Sequence, residues 1–283
     1  EKVAQAEIAF FGGSFTAINR EYMVSLLKTA ADFVGESMFS GIRISTRPDA
    51  INDEILTILK QYHVTSIELG AQSMCDDILT LNFRGHTADC VRKASKLIKD
   101  YGFNLGLQMM IGLYGDSEQA ILYTADEIIK LQPKTVRIYP TIVIKDTHLE
   151  TLYKNEEYIP YTVNEAVGVA SKIYRKFIST DITVIRLGLH ASKTLEKDML
   201  AGPYHPAFKE LCESKIVLEN LLLFLEEKQI PKGAIKLFVN PKSVSIFVGQ
   251  RKSNIHLLEE KQYFTTIVQD VTISRYDFVL VCA

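Results

Sequence analysis

Along the first two thirds of the chain, short apolar runs alternate with amphipathic stretches whose apolar residues recur at three- and four-residue spacing. The runs Glu7–Phe11, Gly41–Thr46, Ser66–Gly70, Asn104–Ile111, Thr135–Tyr139 and Thr183–Leu187 predict strands. The stretches Glu21–Val34, Asn52–Tyr62, Thr87–Tyr101, Ser117–Leu131 and Val163–Ile178 predict the helices between them. Such alternation calls for a parallel sheet, and right-handed crossovers curl successive units toward a complete or partial barrel. The strands read as nearly continuous apolar runs, which suits a sheet covered by helices on its outer face.

From about Ala201 the pattern changes. Gly202-Pro203-Tyr204-His205-Pro206 marks a boundary, followed by a predicted long helix Phe208–Glu227 and a strand Ala234–Val239. Then come a short helix or strand Ser243–Val248, a helix Asn254–Lys261, and two closing strands, Thr265–Val268 and Phe278–Cys282. The expected architecture is therefore α/β: a partial parallel (β/α) barrel over residues 1–200, then a small α+β extension over 201–283.

Composition adds limits rather than function. With 47% hydrophobic and 23% charged residues, the chain has the make-up of a soluble globular protein. No apolar run approaches the roughly 18 residues of a spanning helix, and no basic-then-apolar leader opens the chain, so a cytoplasmic address without a membrane partner is expected. A net charge of -2 gives no global reason to bind nucleic acid. The chain opens on Glu1 rather than methionine, close to its first strand, and is expected to begin inside a longer protein. Its four cysteines, Cys75, Cys90, Cys212 and Cys282, form no CxxC pair and read as small apolar residues, so no metal ligand is assigned.

The polar and glycine residues gather at one end of the strands. Gly12-Gly13-Ser14 follow the first strand, Thr46-Arg47-Pro48 the second, and Gly70 with Gln72-Ser73 the third; Gln108 and Gly112 belong to the fourth, Tyr139-Pro140 to the fifth. In a parallel barrel this C-terminal edge is where ligands bind. Phe10-Phe11-Gly12-Gly13-Ser14-Phe15-Thr16 lacks both GxxxxGK[ST] and a full GxGxxG. It offers instead a tight loop with carbonyl acceptors for an ammonium group, plus the hydroxyls of Ser14 and Thr16.

FFGGSFTAI, ISTRPD, IELGAQS, RGHT and VRIYPTIVIKDTHLETLY, in this order, resemble the barrel of radical S-adenosylmethionine (SAM) enzymes, in the branch of the Elongator catalytic subunit and oxygen-independent coproporphyrinogen oxidase. The resemblance covers about residues 4 to 190. It implies that Gly12-Gly13-Ser14 receive the methionine ammonium of SAM, that Gln72 and Arg84 contact its ribose and carboxylate end, that Gln108 lies near the ribose, and that Tyr139-Pro140 border the adenine. Ser45 stands where relatives often place a glutamate, and His86 is left without a role. No catalytic residue is assigned.

The same resemblance implies a [4Fe-4S] cluster on three cysteines, an electron donor, and reductive cleavage of SAM to a 5'-deoxyadenosyl radical. The family's CxxxCxxC loop lies upstream of the glycine pair, and this chain has no such motif. A piece of a longer enzyme, inactive by itself, is the expected explanation; a non-catalytic SAM- or RNA-binding paralogue without a cluster is the alternative. RNA, including transfer RNA, and a porphyrin-like small molecule are the candidate substrates.

Other polar residues carry open readings. Glu68 is either a pocket carboxylate or the ion-pair partner of Arg43 or Arg47; Asp116 reads as a helix cap; His190 and Arg186 follow the sixth strand. Gly249-Gln250-Arg251-Lys252 faintly resembles the GXXG loop of KH domains, with Lys252 in place of the second glycine. Ten Lys/Arg against nine Asp/Glu over residues 205–283 guarantee no basic face there.

Overall fold

The computed structural model describes residues 6–35 and 38–282; Glu1, on which the expected internal start rests, lies outside them. Six parallel strands form one sheet in the order β1 (Glu7–Phe10), β2 (Gly41–Thr46), β3 (Val64–Gln72), β4 (Asn104–Ile111), β5 (Thr135–Pro140) and β7 (Thr183–Leu187). The intervening helices are α1 (Arg20–Ala31), α2 (Asp53–Gln61), α3 (Asp76–Leu81), α4 (Ala88–Asp100), α5 (Glu118–Lys130), α6 (His148–Lys154) and α7 (Val163–Ile178). Neighbouring strands of this sheet are joined in chain order with one helical crossover or more between them, so the sheet is the half-barrel expected.

Helix starts follow from the sequence. Asn19, Asn52, Thr87, Ser117, Thr147 and Thr162 each accept a backbone N–H of the first turn on the side chain. At α7, Glu165 returns the bond to Thr162 and completes a capping box. Asp116 is not the cap of α5, as its sequence position suggested. Ser117 takes that role, and the Asp116 carboxylate accepts from the N–H groups of Gly112 and Ser117 instead.

The strands alternate more than their apolar content suggested. Ile42, Ile44, Ile67, Leu69, Leu107, Met109, Val136 and Ile138 are fully buried beneath the helices. The intervening positions Arg43, Ser45, Gln108, Arg137 and Tyr139 are only partly buried. Polar side chains therefore occupy the face that the helices leave uncovered.

Beyond β7 lie α8 (Lys193–Asp198) and β8 (Met199–Ala201), the latter antiparallel to the short β6 (Val143–Ile144). Helix α9 (Phe208–Glu227) then joins two cores. Its residues Phe208, Cys212 and Ile216 belong to the barrel core, whereas Val217, Leu221 and Leu225 belong to a second one. That second core lies under a three-stranded sheet, β10 (Tyr263–Gln269), β9 (Gly233–Val239) and β11 (Phe278–Cys282), with α10 (Val244–Val248) and α11 (Ser253–Glu260). Ser243–Val248 is thus resolved as mostly helical. Buried Glu213 of α9 ties the two parts: it accepts from the Tyr174 and Tyr276 hydroxyls and from Arg275. No helix among the described residues is long and apolar enough to cross a membrane.

Candidate functional site

One cavity of about 330 Å³ opens at the C-terminal ends of β1 to β4, lined by Gly13, Ser14, Ser45, Thr46, Arg47, Gly70, Gln72, Phe83, Arg84, His86 and Gln108. Six residues that the sequence tied to the cofactor meet here: Gly13, Ser14, Ser45, Gln72, Arg84 and Gln108. Gly12 supports the loop, with φ of +103°, a conformation other residues rarely adopt. Tyr139 and Pro140, at the end of β5, lie outside the lining.

Each wall is held by a local device. The loop after β1 is pinned to the end of β2 through the Thr16 hydroxyl, 2.7 Å from the Thr46 hydroxyl and donating to the Ala50 carbonyl at 2.7 Å. Thr16 is thereby committed to the scaffold, contrary to the reading that offered its hydroxyl to a ligand. Phe10 stacks on Phe15 beneath the same loop, ring centroids 4.7 Å apart.

Gln72 owes its aim to a bulge. The β3–β4 register shifts between Gly70 and Gln72, and Gln72 takes a left-handed φ of +62°. Its amide nitrogen lies where a Cβ on residue 70 would be only 2.8 Å away, so Gly70 is what leaves it room. On β4, the Gln108 amide donates to Ser45 Oγ at 2.9 Å and to Glu68 Oε2 at 3.1 Å.

Glu68 is nearly inaccessible, and its ion pairs run to Arg43 at 2.9 Å and Arg137 at 2.7 Å. It is not paired with Arg47, which forms a two-pronged contact with Asp49 at 2.5 and 2.6 Å. Glu68 thus belongs to the scaffold beneath the cavity. Arg137 also lies over the Phe11 ring at 5.0 Å.

Arg84 lines the cavity with no ion-pair partner among the described residues. Its Nη2 contacts Met110 Sδ at 3.3 Å, and its Nε is buried with no hydrogen-bond partner among the described residues. Burial lowers its pKa below the ordinary guanidinium value. The neighbouring His86 holds the turn in place, its ring nitrogens 3.1 Å from the carbonyls of Arg84 and Ala71. An anionic group is the ligand that would complete Arg84. Sequence reasoning missed Phe83, which carries no motif signal of its own; His86 was visible in RGHT but only the structure gives its task.

The remaining candidates lie elsewhere. Arg186 donates to the carbonyls of Gly188 and Leu189, and His190 is exposed beyond β7. Burial comes first among the causes that raise the Asp116 carboxyl to about 6, against the backbone N–H groups it accepts. The KH-like turn joins α10 to α11, with Gly249, Arg251 and Lys252 at positive φ and both basic side chains exposed. The four cysteines are dispersed, and among the described residues no three His, Cys, Asp or Glu side chains are grouped to hold a metal ion. The residues present fit the amino-acid end of SAM, through Arg84 and the open backbone at Gly13, but do not fit an iron–sulfur cluster.

Comparisons with known proteins bear on the family and the fold. The radical SAM superfamily model matches residues 2–128 and the radical SAM C-terminal domain model residues 133–217. The tRNA uridine(34) acetyltransferase of Methanocaldococcus infernus is 30% identical over 197 residues, covering 62% of this chain and 37% of that protein. Elongator complex protein 3 of Mus musculus is 29% identical over 193 residues, covering 60% and 35%. The chain thus spans little more than a third of the length of these curated relatives. Among solved structures, the M. infernus Elp3 with an N-terminal deletion superimposes with a TM-score of 0.66 at 24% identity, covering 82% of this chain and 57% of that one, which shows the shared fold. The chain belongs to the radical SAM superfamily.

Proposed function

We propose that this chain is the SAM-binding core of a radical SAM enzyme that modifies RNA. The observation that carries the reading is the meeting of Gly13, Ser14, Ser45, Gln72, Arg84 and Gln108 around one cavity, with the Arg84 Nε unpaired among the described residues. In this reading the loop Gly12-Gly13-Ser14 takes the ammonium group of SAM on backbone carbonyls, and Arg84 takes its carboxylate. Gln72 and Gln108 bond the ribose hydroxyls, and Ser45 orients Gln108. Tyr139 and Pro140 are proposed to border the adenine from β5. When bound, SAM supplies an adenosyl group whose release needs an electron donor and an iron–sulfur cluster. Since the residues present do not fit the cluster, no step is assigned through it.

RNA is proposed as the substrate because the relatives that match most of the barrel include tRNA uridine(34) acetyltransferases. A cytoplasmic address accompanies that reading. Titration of the protein with SAM, with ATP as the control nucleotide, tests the cavity. Saturable SAM binding that ATP does not displace is expected. Equal binding of ATP would count against an amino-acid subsite at Arg84.

A further inference from the structure

Phe83 is an aromatic ring set at the lip of the cavity and left in solvent. It is 77% exposed, yet it lines the same cavity as Gln72 and Arg84. An apolar ring at a turn is usually unremarked, but this one is held stiffly. It follows α3 in a left-handed conformation, φ +52°, at the helix-ending position where glycine or asparagine is usual. Its own N–H donates to the Thr80 carbonyl, and the next N–H, of Arg84, to the Leu79 carbonyl.

The preceding side chain fixes the turn from the other direction. Asn82 donates to the carbonyls of Ile78 and Tyr114 at 2.8 and 2.9 Å and accepts from the Tyr114 N–H at 3.2 Å. Phe83 therefore projects from a backbone anchored to both α3 and the loop after β4. Its ring meets the exposed His148 ring of α6 edge to face, centroids 5.3 Å apart at 76°. The two rings come from opposite sides of β4 in the sequence, one before it and one after β5. An edge-to-face partner supports a ring while leaving at least one of its faces free to stack, and Phe83 keeps most of its surface in solvent.

We infer that Phe83, buttressed by His148, is a stacking subsite for an unpaired nucleobase of the RNA substrate, at the entrance of the SAM cavity. The inference rests on the proposed RNA reading and assigns it a place and a base geometry. Single-stranded nucleic acid is gripped by stacking on aromatic rings that present a face to solvent, and a ring already held in place loses little freedom on binding. The guanidinium of Arg84 next in the chain remains free for an anionic group in the same cavity. An exposed ring with no such task would be expected to fold onto the surface rather than be held out from it by a constrained turn.

The test measures two affinities on Phe83→Ala, Phe83→Trp, Phe83→Leu and His148→Ala. One is for a fluorescently labelled RNA hairpin with an unpaired loop, compared with a blunt duplex of the same stem; the other is for tritiated SAM. Wild type is expected to prefer the hairpin. Phe83→Ala should weaken the hairpin about tenfold, the scale of one base–ring stack, with duplex affinity unchanged and any loss of SAM affinity well below the loss for the hairpin. Phe83→Trp should restore the hairpin, Phe83→Leu should not, and His148→Ala should give a smaller loss. Hairpin affinity unaltered by Phe83→Ala overturns the inference and leaves the RNA reading standing. Parallel loss of SAM and hairpin affinity overturns it too, assigning the ring to the cofactor pocket, as does full activity of Phe83→Leu in binding. Wild type binding neither RNA would overturn the inference together with the RNA reading, while SAM binding reports on the cavity separately.

Discussion

The Gln108 amide on β4 donates to the Ser45 hydroxyl on β2 at 2.9 Å, across the width of β3. Its second proton goes to Glu68, so one side chain joins three strands and leaves its carbonyl oxygen as the acceptor available to a ligand. Gln108→Leu should cost about 1–2 kcal/mol of stability, the net worth of two such bonds. It should also weaken SAM binding several-fold. Urea unfolding and equilibrium dialysis read the two effects, and a stable variant with wild-type SAM affinity would remove Gln108 from the site.

Glu68 balances Arg43 and Arg137 where water scarcely reaches. Glu68→Gln keeps the shape and leaves the two guanidinium groups without that charge. A loss of roughly 3–5 kcal/mol is expected, as for breaking a buried pair. Arg43 retains Glu7 at 2.8 Å, so Arg137 is the group stranded. Adding Arg137→Leu to Glu68→Gln should recover part of the loss. Denaturant unfolding of the single and double variants settles it, and additive losses would show that the two residues do not act as a pair.

Two carboxyls give opposite pH signatures. Burial opposes the Glu7 carboxylate, but hydrogen bonds from Thr65, Ser66 and Arg43 outweigh it and hold its pKa below the usual 4.5. Its contribution is thus complete above about pH 4.5 and is lost as pH falls through the lowered value. Asp116 runs the other way. Burial raises its carboxyl from 3.8 to about 6, so the folded state binds the proton more tightly and stability declines as pH rises from about 4 to about 6. Asp116→Asn should flatten that decline, and Glu7→Gln should flatten the acid limb. Thermal unfolding across the pH range reads both, and unchanged slopes would contradict the environments described.

Much of this was legible before the fold. The bounds of β2, β4, β7, β11, α7 and α9 match the sequence pattern, because each is long or apolar enough for its period to dominate. Short α3, α6, α8, β6 and β8 went unseen, since six or seven residues at most carry too little periodicity. Gly13, Gln72, Arg84 and Gln108 were found through a family resemblance and their place at strand ends. What aims them was not readable: the bulge at Gln72 is a register shift, and the His86 tether depends on carbonyls of Arg84 and Ala71 brought close by folding. Phe83 was missed because a single phenylalanine announces burial in a sequence, and only the fold shows it in solvent.

Arg84 gives the most direct measure of the central claim, since its buried Nε lacks any partner among the described residues. Equilibrium dialysis with labelled SAM should compare wild type with Arg84→Gln. The account predicts saturable binding by wild type and at least a tenfold loss in the variant, the scale of one hydrogen bond to a charged group. Equal affinity in the two proteins, or no saturable binding by wild type, would contradict it.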